Sequence, residues 1–209
     1  ALLCFYAAFV PPLMDVLKIP NFIVDICYRT SSGKTTLQLL LASIYGKPEQ
    51  SSSLIQNWNM TRIYAEELSA VLDGLPMILN DTKNMKDNKV LEEVIYDITN
   101  NSTHGRCSGT GMKARQQIKT VLISSGETPI VTQKSSPGVK TRTISLSSPP
   151  FCATDKKTAQ MVNRLRSIIN DNYGIAGEKF IGHLVRNRAT KKEEWEKRHG
   201  ELRKHYEQK

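Results

Sequence analysis

The stretch Arg29-Thr30-Ser31-Ser32-Gly33-Lys34-Thr35-Thr36 constrains this chain more than any other. It joins two segments of different periodicity. Before it, Phe22-Ile23-Val24-Asp25-Ile26-Cys27-Tyr28 is a short, mostly apolar, β-branched run, the pattern of a buried strand. After it, Leu37, Leu40, Leu41 and Ile44 recur at helical spacing until Gly46-Lys47-Pro48 stops the helix. A strand, a loop of small residues and a helix in this order make an anion site. Backbone N–H groups wrap phosphates at the helix N-terminus, where the helix dipole favours negative charge. The loop therefore reads as a P-loop. Thr30, Ser31, Ser32, Gly33, Lys34, Thr35 and Thr36 are the candidate nucleotide-binding residues. Lys34 is directed at the β- and γ-phosphates and the Thr35 hydroxyl at Mg²⁺. The usual pattern, G-x-x-x-x-G-K-[ST], is broken at its first position, where Tyr28 stands.

Strand and helix patterns alternate through the rest of the chain. Strands are expected at Leu54–Trp58, Leu75–Asp81, Lys119–Ser124 and Thr141–Leu146. Helices are expected at Thr61–Leu72, Val90–Ile98, Thr158–Ile169 and around Phe180–Val185, followed by a mixed-charge helical tail, Arg186–Lys209. Residues 100–115, rich in Asn, Ser, Gly and basic side chains, suit a loop or hairpin. This alternation predicts an α/β fold with a parallel sheet and right-handed crossovers. The 209 residues suffice for one α/β domain with an appendage. Ser147–Pro150 looks like the boundary, giving a core over residues 1–150 and a helical segment over 151–209.

Ligands of such sheets sit at the carboxyl ends of the strands. A P-loop ATPase needs a carboxylate there for the Mg²⁺ shell and usually another to orient the attacking water. The run Ile78-Leu79-Asn80-Asp81 puts Asn80 at the metal-side position and Asp81 at the catalytic one. An amide offers an oxygen but no charge. Either Asp81 serves both needs or hydrolysis is impaired. A further strand ends in Ser124-Ser125-Gly126-Glu127. Its hydroxyls suit the γ-phosphate, and Glu127 suits polarising water or pairing with a basic residue.

The formal net charge of +9 fits a polyanionic partner or, equally, a basic solubility surface. Cys4, Cys27, Cys107 and Cys152 make no zinc pattern and read as reduced thiols of a cytoplasmic protein. The apolar start, Ala1–Val10, is broken by Pro11-Pro12 and is too short to span a bilayer, so a core helix and no membrane partner are expected. A chain beginning at Ala1 is expected to be a piece of a longer protein.

A resemblance accumulates along the chain. The string Thr30–Thr36 is followed by Asn57-Trp58-Asn59-Met60-Thr61, Leu75-Pro76, Val94-Ile95-Tyr96-Asp97-Ile98, Gly105-Arg106, Ser124-Ser125-Gly126-Glu127 and Tyr173-Gly174-Ile175-Ala176-Gly177. In this order they resemble the ATPase family catalogued as domain of unknown function 927. That family occurs in phage and mobile-element replication proteins, including staphylococcal cassette-chromosome helicases. The resemblance reaches to about Leu184. It implies an AAA+ core with about five parallel strands, similar to minichromosome-maintenance and superfamily-three helicases. It further implies ATP and Mg²⁺ as cofactors, a homo-oligomeric ring, usually a hexamer, and DNA, single-stranded or forked, in the centre. Each nucleotide would lie between two subunits, with Arg142 as the arginine finger offered to the neighbour and Ser125 as first sensor. Related ring helicases carry a pore hairpin before the first-sensor strand, which points to Arg106, Lys113 and Arg115 as DNA contacts. The family's acidic strand end is usually Asp-Asp or Asp-Glu, so Asn80 is a departure.

The expected function is thus an ATP-driven DNA helicase or translocase motor for DNA replication of a phage or mobile genetic element. Lys34, Asp81, Glu127 and Arg142 carry the hydrolysis. Two rivals remain: a nucleotide-gated DNA-binding ring with impaired hydrolysis, and a small-molecule P-loop phosphotransferase.

Overall fold

The computed structural model describes residues 1–49, 54–84, 88–100, 106–108, 111–113, 117–133 and 135–208, with the backbone alone at 84, 88, 89, 106–108 and 111–113. The expected apolar start forms α1 (Leu2–Ala8), and a second short helix, α2 (Met14–Leu17), precedes the first strand. Next come β1 (Phe22–Cys27), α3 (Lys34–Ser43), β2 (Ile55–Asn57), α4 (Arg62–Val71), β3 (Met77–Asn80) and α5 (Asn88–Thr99). Two short strands, β4 (Arg106–Ser108) and β5 (Gly111–Lys113), pair antiparallel. The remainder is β6 (Val121–Gly126), α6 (Pro137–Thr141), β7 (Thr143–Leu146), α7 (Lys156–Asp171) and α8 (Ile175–Glu207).

One sheet holds five strands in the order β2-β3-β6-β1-β7, and every pairing in it is parallel. The P-loop strand β1 is therefore flanked by β6 and β7, and β6 separates it from β3. Alternation along β1 divides the core. Val24 and Ile26 pack with Leu37 and Leu41 of α3 and with Cys4 and Met14. Ile23 faces the other way, with Trp58, Leu68, Met77 and Ile95.

Several pieces of the family-like sequence prove to be structural. Thr61 caps α4, its hydroxyl accepting from the Tyr64 amide at 3.2 Å. Trp58 is fully buried and donates its indole N–H to Ser124 Oγ at 3.0 Å, on the back of β6. Asp97 takes a two-pronged hydrogen bond from Arg62, at 2.7 and 2.9 Å, which ties α5 to α4. Gly177 lets α8 meet the end of α3. Its amide donates to the Ile44 carbonyl at 2.8 Å, and an added Cβ would stand 2.5 Å from that oxygen.

The expected boundary near residue 150 is crossed by close contacts. The N-terminal ammonium donates to the Pro150 carbonyl at 2.6 Å, Phe151 packs on the core, and Phe9 meets Phe180 edge to face at 5.0 Å. The helix expected at Phe180–Val185 and the charged tail are one helix, α8, of 33 residues. No proline interrupts it, and ion pairs one turn apart, Lys192–Glu196 and Arg203–Glu207, support its polar half. Neither it nor any other helix among the described residues is long and apolar enough to cross a membrane.

Asp25 is fully buried at the middle of β1, where Oδ2 accepts from the Ile130 amide at 2.9 Å. Burial pushes its carboxyl up to about 6, against the opposite pull of the Ile130 amide and the Ser124 hydroxyl. The folded state therefore holds this proton more tightly than the unfolded chain does. The resulting stabilisation is complete below about pH 4 and is lost as pH rises toward 6. Against an Asp25→Asn variant, the parent should lose about 3 kcal/mol between pH 4 and pH 7. Urea denaturation of both proteins at four pH values measures this, and parallel pH profiles would mean that Asp25 does not titrate there.

Candidate nucleotide-binding site

The loop between β1 and α3 reaches its cradle shape through left-handed backbone. Ser31 has φ 57° and Gly33 has φ 93°. Gly33 is required twice over, because an added Cβ would also stand 3.0 Å from the Phe151 ring. Tyr28, at the position where the pattern has its first glycine, extends the β1 pairing, its amide donating to the Gly126 carbonyl at 3.2 Å. Its ring lies under the Arg29 guanidinium at 5.8 Å, and Arg29 reaches away to Thr154 Oγ1 at 2.9 Å.

Lys34 opens α3 and folds back over the loop. Its Nζ donates to the carbonyls of Tyr28 at 2.5 Å and Arg29 at 2.8 Å. Burial pulls its ammonium below the usual lysine range, while Glu127 and Asp81 favour the charged form. Ser32 is buried, and its hydroxyl has no hydrogen-bond partner among the described residues. A buried hydroxyl without a partner is costly unless a ligand completes it.

A cavity of about 460 Å³ lies between this loop and the ends of β3 and β6. All seven P-loop candidates line it, and so do Asn80, Asp81, Ser125 and Glu127. The structure thus gathers every sequence-derived nucleotide and metal candidate in one place. It adds Lys83, which sequence reasoning missed. A single lysine three residues after a strand end carries no pattern of its own.

The back wall is a directed hydrogen-bond chain. Gln38 Nε2 donates to the Leu79 carbonyl at 3.1 Å and to Ser125 Oγ at 3.0 Å. The Ser125 proton is then free for Asn80 Oδ1, at 3.0 Å. The Leu79 carbonyl, which can only accept, sets the direction of the whole chain. Asn80 is therefore oriented with its oxygen on Ser125, and that oxygen keeps a second lone pair. Asp81 has left-handed backbone, φ 57°, a conformation that short polar residues tolerate best. Glu127 pairs with Lys83 at 2.5 Å, which holds its carboxyl below the usual range.

Four candidates remain. Arg142 is exposed at the end of α6, and its carbonyl accepts from the Ile23 amide at 2.8 Å. That is the N-terminal edge of the sheet, opposite the cavity of its own chain. Arg106 and Lys113 stand opposite each other in the β4–β5 register. Arg115 lies outside the described residues.

The family described as Domain of unknown function (DUF927) matches residues 1–119, more than half of the chain. The chain belongs to that family. Among solved structures, the chain is similar to "SCCmec type IV Cch - active helicase", with a TM-score of 0.63 and 20% identity. The match covers 90% of this chain and 34% of that one, so the chain spans about a third of its length. At that identity the likeness shows the fold alone, an α/β architecture with a five-stranded parallel sheet flanked by helices. A complex of the magnesium chelatase subunits BchI and BchD matches at TM-score 0.37 and 12% identity, over 90% of this chain and 70% of that one, too loosely to carry an argument. No curated protein matches the chain.

Proposed function

We propose that this chain is the ATP-hydrolysing motor core of a ring-shaped DNA helicase or translocase, serving replication of a phage or mobile element. One observation carries the reading: a P-loop whose buried Ser32 hydroxyl has no partner among the described residues faces two carboxylates, Asp81 and Glu127, across one cavity. Phosphate oxygens would satisfy Ser32, Lys34 and the loop amides together. Thr35 and Asp81 fit Mg²⁺ as hard oxygen ligands, and Asn80 can add a neutral oxygen. Bound there, Mg²⁺ would offset phosphate charge. Asp81 would accept a proton from the attacking water, Glu127 would orient that water, and Ser125 would sense the terminal phosphate. Residues 1–150 would form the motor and 151–209 a helical appendage to it.

Assembly as a homo-oligomeric ring would bring the exposed Arg142 to a neighbour's cavity. The β4–β5 hairpin would meet DNA phosphates through Arg106, Lys113 and Arg115 without reading sequence. Replacing both Lys113 and Arg115 by Ala should weaken single-stranded DNA binding and lower its salt slope by about 1.4. DNA stimulation of the ATPase should vanish while ATP binding persists. An unchanged salt slope would move the DNA contact elsewhere, first to the basic tail.

Asn80 favours a second reading, a nucleotide-gated DNA-binding ring that hydrolyses slowly or not at all. A steady-state ATPase assay with and without single-stranded DNA separates the readings. Stimulated turnover supports the motor, and binding without turnover supports the switch. Phosphoryl transfer to a small acceptor would overturn both in favour of a phosphotransferase.

A further inference from the structure

We propose that Lys83 is a second phosphate-binding lysine of the cavity, held by Glu127 until the terminal phosphate of a nucleoside triphosphate displaces that carboxylate. The inference rests on the P-loop reading and adds to it the residue that tells a triphosphate from a diphosphate.

The position of Lys83 is built into the fold. It sits in the single 3-10 turn Thr82–Asn84 that follows β3. The turn is pinned on both sides. Lys83 donates its amide to Asp81 Oδ1 at 3.2 Å. Thr82 fills the space where Gly126 lacks a side chain, since an added Cβ there would stand 2.1 Å from Thr82 Oγ1. The backbone of Lys83 is thereby fixed against both β3 and β6, and its side chain lines the same cavity as Lys34.

The charges at the cavity show why this lysine matters. Among the described residues that line it, the charged ones are Lys34, Asp81, Lys83 and Glu127. Without Lys83 the two carboxylates would outnumber the cations around a ligand that is itself strongly anionic. Lys83 now spends its charge on Glu127 at 2.5 Å, in a pair whose side chains are 61% and 34% exposed. An ion pair this exposed is weakly held. A phosphate oxygen bearing more charge is a stronger partner for a flexible ammonium, which binds phosphate as a point charge. The exchange would also release Glu127 toward water at the moment the triphosphate arrives.

Topology says which phosphate is reached. The P-loop wraps the chain of phosphates from the β1 side, and β6 lies between β1 and β3. Lys83, beyond β3, belongs to the wall opposite the loop, where the terminal phosphate ends. A diphosphate does not extend that far.

Calorimetric titration with MgATP and MgADP tests this on the parent, Lys83→Ala, Lys83→Arg, Glu127→Gln and Lys34→Ala. Lys83→Ala should bind ATP about tenfold more weakly and ADP within about twofold of the parent, the scale of one charge-assisted hydrogen bond. Lys83→Arg should restore the preference for ATP. Glu127→Gln should tighten ATP binding, and adding Lys83→Ala should cancel that gain. Equal loss for ATP and ADP, or no loss for either, overturns the role of Lys83. If Lys34→Ala loses nucleotide while Lys83→Ala does not, only this inference falls. If Lys34→Ala binds ATP like the parent, the P-loop reading falls with it.

Discussion

Lys34→Ala should lose nucleotide binding by on the order of a hundredfold or more, with the melting temperature of the parent retained. The side chain makes two hydrogen bonds, both to loop carbonyls at 2.5 and 2.8 Å, and neither belongs to the core. Removing it leaves those carbonyls open to water and disturbs no packed surface. What is lost is the ammonium that opens α3 and lines the cavity beside Ser32, whose hydroxyl has no partner among the described residues. Its partial burial strengthens any contact with phosphate, because fewer waters compete. Titration with MgATP together with a thermal melt measures both halves of the expectation. Parent-like affinity would remove the P-loop assignment altogether.

Arg142→Ala should leave ATP binding intact and lower the hydrolysis rate by on the order of 10³-fold. Arg142 is exposed at the N-terminal edge of the sheet, while the cavity of the same chain opens at the carboxyl ends of β1, β3 and β6. A guanidinium there cannot assist its own site, so any catalytic part must be played at another subunit's site. Mixing Lys34→Ala and Arg142→Ala subunits should therefore restore some turnover, because one interface then combines an intact P-loop with an intact arginine. No recovery at concentrations where oligomers are demonstrated would rule out action in trans.

The family-like pieces of the chain divide differently in space than in sequence. Trp58, Thr61 and Asp97 carry the family resemblance together with the P-loop when the chain is read linearly. Trp58 buttresses Ser124 from behind, Thr61 caps a helix, and Asp97 anchors Arg62. They hold β6 and its neighbours in place, and none of the three lines the cavity, although the Trp58 amide donates to the carbonyl of Asn80, which does. Ser125, one residue after Ser124, turns to the other face of the sheet and joins Gln38 and Asn80. Adjacent serines thus serve opposite faces, as the two-residue period of a strand demands.

Local pattern was enough for the strand–loop–helix unit, the run of parallel strands and the P-loop, because each depends on periodicity and small-residue chemistry within a few neighbours. It also placed Asn80, Asp81, Ser125 and Glu127 at strand ends, where α/β sheets bind ligands. The continuity of α8 escaped it, since a polar helix held by ion pairs along its length has no apolar stripe to read. Strand order was beyond it as well. Only the insertion of β6 between β1 and β3 decides that Glu127 and Asp81 share one cavity with Lys34. Lys83 became visible for the same reason. Its meaning comes from Gly126 and Glu127, more than forty residues away along the chain. Such contacts follow from how the sheet is assembled, and no local run of residues encodes them.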